Sequence, residues 1–187
     1  MNDLEILARP VLNPLMNGTP TILTHRDQMV ITLWLLKTAM TFDLLGEKKR
    51  PCYFDPSERH ALYRFLEAPP IPPSTQVFLA RYKGSKDSVI RETHLELARW
   101  TGDPNPDSLS RLRGYAVTIA VKELVLQIFC ARGLPDRVAY YMPDFDSAVS
   151  QIGLGNGDVS WPLSSRFDDA GLNIFTERWL NLAPPPS

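Results

Sequence analysis

One stretch limits what this chain can fold into. Residues 26–45, RDQMVITLWLLKTAMTFDLL, are apolar on nearly every side when wound as a helix. Met29, Leu33, Leu36, Met40 and Leu44 form one stripe, with Val30, Trp34 and Leu45 beside it. Ile31, Leu35, Ala39 and Phe42 form a second. Lys37, Thr38 and Thr41 leave a narrow polar edge, and Thr32 and Asp43 stand roughly opposite. A helix of this kind is buried among several partners, so the rest of the chain must supply the layers that cover it. Thr24 suits the N-cap, with Asp27 at N3 as its capping-box partner. Leu23 would face Gln28, so no hydrophobic staple forms. Gly46 suits a left-handed stop just past the last turn. Lys37 is the residue of this helix to test for function.

The covering layers are read from local pattern. Asn2–Ala8 makes one or two helical turns that Pro10 and Pro14 limit, and Asn17-Gly18 is a turn. Asp55-Pro56-Ser57-Glu58 combines an N-cap, proline at N1 and glutamate at N3, and starts a helix to about Glu67 that buries Ala61, Leu62, Phe65 and Leu66. The prolines from Pro69 to Pro73 make an extended spacer; PxxP ligands look similar. Thr75–Lys83 is rich in strand formers. Val89–Trp100 puts Val89, Leu95 and Leu97 on one face as a strand, though a helix also fits. Gly114–Ala131 reads best as two strands, with Tyr115, Val117, Ile119 and Val121 alternating, then Leu124, Leu126 and Ile128. Lys122-Glu123 forms the tip, although Lys-Glu is not a favoured hairpin pair; one long helix is the competing reading. Asp168 or Asp169 caps a last helix with Leu172, Phe175, Trp179 and Leu182 inward. The expected fold is α+β, a small antiparallel sheet packed against the central helix with flanking helices. It is one domain over 1–187: mainly helical at 1–68, sheet at 75–131, irregular at 136–167, helical at 168–182.

Composition narrows the function classes. A net charge of −1 over 187 residues excludes a strongly basic nucleic-acid binder, so contact with phosphates must rest on local patches. Cys52 and Cys130 lie far apart with no CxxC, and read as free thiols. No charged segment leads into an apolar leader at the N-terminus, and the apolar run Met29–Leu36 is too short to span a bilayer. A cytoplasmic chain without membrane contact is expected.

No motif assembles a catalytic set. His25, His60 and His94 are scattered over three elements without zinc-ligand spacing, and read as lone surface histidines. Gly153-Leu-Gly155-Asn-Gly157-Asp158 has aspartate where G-x-G-x-x-G needs its third glycine, and no helix follows. Asp144, Asp146 and Asp158 are ordinary loop aspartates, and Ser164-Ser165 lacks a nucleophile elbow. No catalytic residue, metal ligand or cofactor is expected. The candidate binding residues are basic, with aromatic neighbours: Lys48, Lys49 and Arg50 after the central helix, Arg81, Tyr82, Lys83 and Lys86 closing the first sheet strand, and Arg111, Arg113 and Tyr115 opening the hairpin. If the strands pair, the last two groups share a sheet edge, where cations meet phosphates and the rings stack bases.

Several segments carry a family resemblance in order: MNDLE at 1–5, RPVLNPLMNG at 9–18, Leu23-Thr24, WLLKTAM at 34–40, TQVFLARY at 75–82, ELVLQI at 123–128, VSWP at 159–162, and Asp169 with Arg178-Trp179. Together they resemble the region downstream of the Cys/His module in bacterial HNH-endonuclease-like proteins. In that family the Met-Asn-x-Leu-Glu segment follows the cysteine module, and here the chain begins at that methionine. The resemblance therefore implies a nuclease-less relative or a fragment, with no catalytic residue to carry over. It implies a non-catalytic accessory domain, nucleic-acid associated, in a nuclease, phage or defence system. A protein-interaction or oligomerisation module is the alternative.

Overall fold

The computed structural model describes residues 2–46, 51–62, 71–72, 75–99, 110–132, 147–153 and 156–178. In chain order the elements are α1 (Asn2–Met16), β1 (Thr21–Leu23), α2 (His25–Leu45), α3 (Pro56–Ala61), β2 (Gln76–Arg81), β3 (Ser88–Arg99), β4 (Ser110–Val121), β5 (Leu124–Arg132), β6 (Val149–Ile152), β7 (Val159–Trp161) and α4 (Asp169–Glu177). The fold is α+β. Five strands form one antiparallel sheet in the order β3-β4-β5-β2-β6, and β1 pairs with β7 in a separate antiparallel ladder.

The central helix is present with both halves of its capping box. The Thr24 hydroxyl accepts the Asp27 N–H at 3.3 Å, and the Asp27 carboxylate accepts the Thr24 N–H at 3.0 Å. Its stop differs from expectation. Gly46 lies at φ −80°, ψ −10°, and its N–H donates to Phe42 O at 3.1 Å; the last turn closes in right-handed geometry and needs no left-handed residue. At 21 residues α2 also has the length and apolarity of a membrane span, a composition shared by core helices, and half of its apolar window is buried in this fold.

α1 runs the full length to Met16, twice what its prolines suggest. Pro10 and Pro14 are four residues apart and stand on the outer side, while Leu4, Ala8, Leu12 and Leu15 are buried. Each proline removes one intrahelical hydrogen bond, and on the outer side the freed carbonyls face water, which bends a helix without breaking it.

Helices cover both faces of the sheet. Val77, Leu79, Tyr115, Val117, Ile119, Leu126 and Ile128 pack under α1 and α2; Phe78, Ala80, Ala116, Ala120, Val125 and Phe129 pack under Leu172 and Phe175 of α4. β5 is consequently buried from Leu124 to Ala131 without interruption. Strands covered on both faces read as continuous apolar runs, which is why this segment resembles a helix as much as a strand in sequence. The hairpin tip is Lys122-Glu123, as expected, with Lys122 at φ 53°. Neighbours hold it there: Lys122 N–H donates to Asp87 O at 3.0 Å, Glu123 N–H to Met16 O at 3.2 Å, and Glu123 pairs with Arg81 at 2.8 Å. Gly18, at φ +64°, lies under the same carboxylate, where an added Cβ would sit 2.5 Å from Glu123 Oε2.

Three short strands, β1, β6 and β7, lie in the parts of the chain read as mainly helical (1–68) and irregular (136–167). Each pairs with a strand distant in sequence, and segments of three or four residues show too little alternation to announce themselves. α4 begins at the Asp168 N-cap and buries Leu172 and Phe175; Trp179 and Leu182 lie outside the described residues, as do Phe65 and Leu66 of the helix expected to follow Asp55.

Candidate functional site

Ionisable groups converge where α2 ends. Asp43 faces the sheet and is 1% exposed. Its Oδ1 accepts the N–H of Tyr53 and its Oδ2 the N–H of Phe54, both at 2.9 Å. The carboxylate thus holds the segment leading into α3, whose own start is a capping box between Asp55 and Glu58. Glu92 and His94 are two residues apart on β3, so both project from one sheet face, toward α2. His94 Nε2 stands 3.0 Å from Glu92 Oε1 and 3.9 Å from Asp43 Oδ1. Tyr115, paired across the strands with His94, has its hydroxyl 2.9 Å from Glu92 Oε1 and 3.1 Å from Ala39 O. One ligand atom each from Asp43, Glu92 and His94 lies within 4.8 Å of the others, the one such group among the described residues.

An aromatic wall encloses the cluster on one side. The Tyr115 ring stacks on Tyr53 at 5.6 Å and meets Phe54 and His94 edge-on at 5.5 and 4.5 Å. Arg132 lies over the Tyr53 ring at 5.0 Å, donates to Tyr53 O at 2.8 Å and pairs with Glu58. Burial raises the Tyr53 phenol well above its ordinary value, so the ring is a neutral packing element. Cys130, opposite Tyr115 on β5, is pushed up to about 12 by burial, with Thr75 Oγ1 3.6 Å from its sulfur. A thiol kept protonated is not a nucleophile.

His94 is therefore no lone surface histidine. Glu92-x-His94 is the pattern that could have flagged it, since strand geometry places both side chains together. Asp43 carried no local signal, because its partners lie nine or more residues away.

The basic candidates are not gathered in one place. Register sets Arg81 opposite Leu124, and Leu124 opposite Val121. Arg113 lies at the other end of β4, opposite Arg132, about 26 Å away at ~3.3 Å per residue. Arg111 is on β4 opposite Ala98, at that same far end. Arg81 is paired with Glu123, and the Tyr82 ring is buried with its hydroxyl donated to Asp169, so it cannot stack on a base. Lys83 and Lys86 are exposed, and Lys83 shares an open hollow of about 520 Å³ with Arg166 and Asp168. Arg113 is exposed and reaches Cys52 O at 3.4 Å. Lys48, Lys49 and Arg50 lie outside the described residues, as do Asp144 and Asp146. Lys37 forms an ion pair with Glu5 of α1, which holds the Glu5 carboxyl below its ordinary range.

Apolar surface does gather. The outer side of α1, β1 and the start of α2 enclose an open groove of about 350 Å³ lined by Ile6, Pro10, Pro14, Ile22 and Val30, with Arg26 and Asp27 as its charged members. Ile6 and Ile22 are 67% and 62% exposed. Gly153 and Gly157 form no phosphate loop; the Gln28 side chain holds both, accepting Gly153 N–H at 3.1 Å and donating to Gly157 O at 2.8 Å.

Comparison of the chain with family models, curated proteins and solved structures gave no significant match.

Proposed function

We propose that this chain is a non-catalytic binding domain, accessory to a nuclease of the HNH-like kind it resembles, and that it docks on protein through an apolar surface. The observation that carries this reading is the groove between α1, β1 and α2. Ile6 and Ile22 stand exposed on one groove, and contiguous apolar surface marks partner sites. The positive charge, by contrast, is divided between opposite ends of the sheet and partly neutralised by Glu123, which favours a partner other than the DNA backbone. Contact with nucleic acid is the second reading, and Lys83, Lys86 and Arg166 are the residues that favour it.

The two readings separate in solution. Sedimentation velocity on the full chain should show self-association that persists in high salt and is lost in Ile22→Asp. Anisotropy with a labelled DNA duplex should show weak binding at most. Duplex binding that falls steeply with salt, and that Lys83→Glu weakens while Ile22→Asp leaves it intact, would overturn the docking reading in favour of the second. Absence of self-association would overturn docking between two copies of this chain.

A further inference from the structure

We propose that Asp43, Glu92 and His94 form a binding site for one divalent transition-metal ion, with Zn²⁺ the ion their chemistry favours. None of the three belongs to the segments on which the family resemblance rests, and the site stands apart from the groove.

The spacing fits. Zinc binds imidazole nitrogen and carboxylate oxygen at ~2.0–2.2 Å, which sets neighbouring tetrahedral ligands about 3.4 Å apart. Here His94 Nε2 and Glu92 Oε1 are 3.0 Å apart, His94 Nε2 and Asp43 Oδ1 3.9 Å, and no pair of ligand atoms exceeds 4.8 Å. Glu92 and His94 are the two ligands left to adjust to that spacing. Both side chains are about a quarter exposed and on a strand, whereas Asp43 is fixed by two backbone N–H donors. One rigid ligand with two that can close on it is a preorganised arrangement.

The charge argument runs the same way. A buried carboxylate is costly unless a cation accompanies it. Among the described residues, the hydrogen bonds to the Asp43 carboxylate come from backbone N–H groups, and its ion-pair partner is the His94 ring at 3.9 Å. Glu92 brings a second carboxylate within 4.8 Å. A divalent ion takes lone pairs from both carboxylates and from an imidazole nitrogen at once. The donor set selects among ions. Magnesium and calcium require six or more oxygen ligands, while an imidazole with two carboxylates suits zinc and its neighbours. The Tyr115 hydroxyl at 2.9 Å from Glu92 Oε1 serves as the outer partner that orients a ligating carboxylate, and water on the exposed side completes the coordination. The ion ties the end of α2 to the edge strand β3.

The test is Zn²⁺ titration into full-length protein stripped with a chelator, read by calorimetry and by Tm. One equivalent should bind, and Tm should rise with free Zn²⁺. Asp43 variants are unsuitable because Asp43 also holds Tyr53 and Phe54, so His94→Ala and Glu92→Gln are used, with far-UV circular dichroism to verify folding. His94→Ala should weaken binding by about 100-fold or more, at or beyond the cost of losing an outer-shell partner, and Glu92→Gln should weaken it in the same direction. His60→Ala, on α3, should bind as the parent does. Co²⁺ should give visible d–d bands that His94→Ala abolishes. Failure to bind one equivalent, or equal binding by His94→Ala, would overturn the proposal; neither outcome touches the docking reading, which rests on other residues.

Discussion

At its N-terminal end α2 holds the rest of the chain with an amide; at its C-terminal end it does so with a carboxylate. Gln28, fully buried, donates to Leu23 O at 3.2 Å and Gly157 O at 2.8 Å and accepts Gly153 N–H at 3.1 Å. Asp43, equally buried, accepts the N–H groups of Tyr53 and Phe54. The amide is neutral, and backbone groups on both sides complete it. The carboxylate accepts from two backbone N–H groups, and the ionisable side chains of Glu92 and His94 stand beside it. Two polar anchors on one apolar helix thus give one end set among backbone groups and one end set among ionisable side chains.

The largest expected effect tests the charged anchor. Asp43→Ala leaves two buried N–H groups unpaired and should cost about 4 kcal/mol in urea unfolding, since bonds to charged acceptors and the orphaned donors both count. Gln28→Ala should cost less, about 2 kcal/mol, because its three bonds are neutral. If the two losses rank in the opposite order, the contrast between the ends fails. Thr24→Ala removes only the capping box and should cost about 1 kcal/mol, with faster amide exchange confined to the first turn of α2. The smallest effect is one of pH. The Ser57 hydroxyl first, then the Glu58 N–H, hold the Asp55 carboxyl below its ordinary range. A folded value below the unfolded one means that this contribution is complete above about pH 4 and is lost as pH falls through the folded value. NMR titration should therefore find the Glu58 amide protected until below the usual aspartate range. It should lose protection there while the Gly153 amide, bonded to neutral Gln28, keeps its own; simultaneous loss would remove the distinction.

Much of the fold was legible because its signals are local. Thr24 with Asp27, Asp55 with Glu58, and the alternation around Lys122-Glu123 each act within a few residues, and each stands where the pattern placed it. Where the reading fell short, distant partners decide. Pro10 and Pro14 sit inside α1 because Leu4, Ala8, Leu12 and Leu15 pack on the sheet side. Gln28, Thr32 and Asp43, which break the apolar pattern of α2, turn out to be buried with the apolar residues. A hydropathy pattern sorts side chains by what they avoid, whereas Gln28 and Asp43 are placed by what they bind. The candidate site was hidden for the same reason: the pairing of β3 with β4, and the packing of both under α2, bring Asp43 to His94 and Tyr115.

The anchor at Gln28 also sets an order of events during synthesis. Gly157, to which it donates, lies 129 residues further along the chain, and β7, the partner of β1, comes after that. A loop of this length is among the last to close. On a ribosome α1 and α2 emerge with an unmatched amide and an unpaired strand, and both wait for the residues up to Trp161 before native contacts relieve them. The helix that organises the mature fold thus needs shelter while those residues are being made.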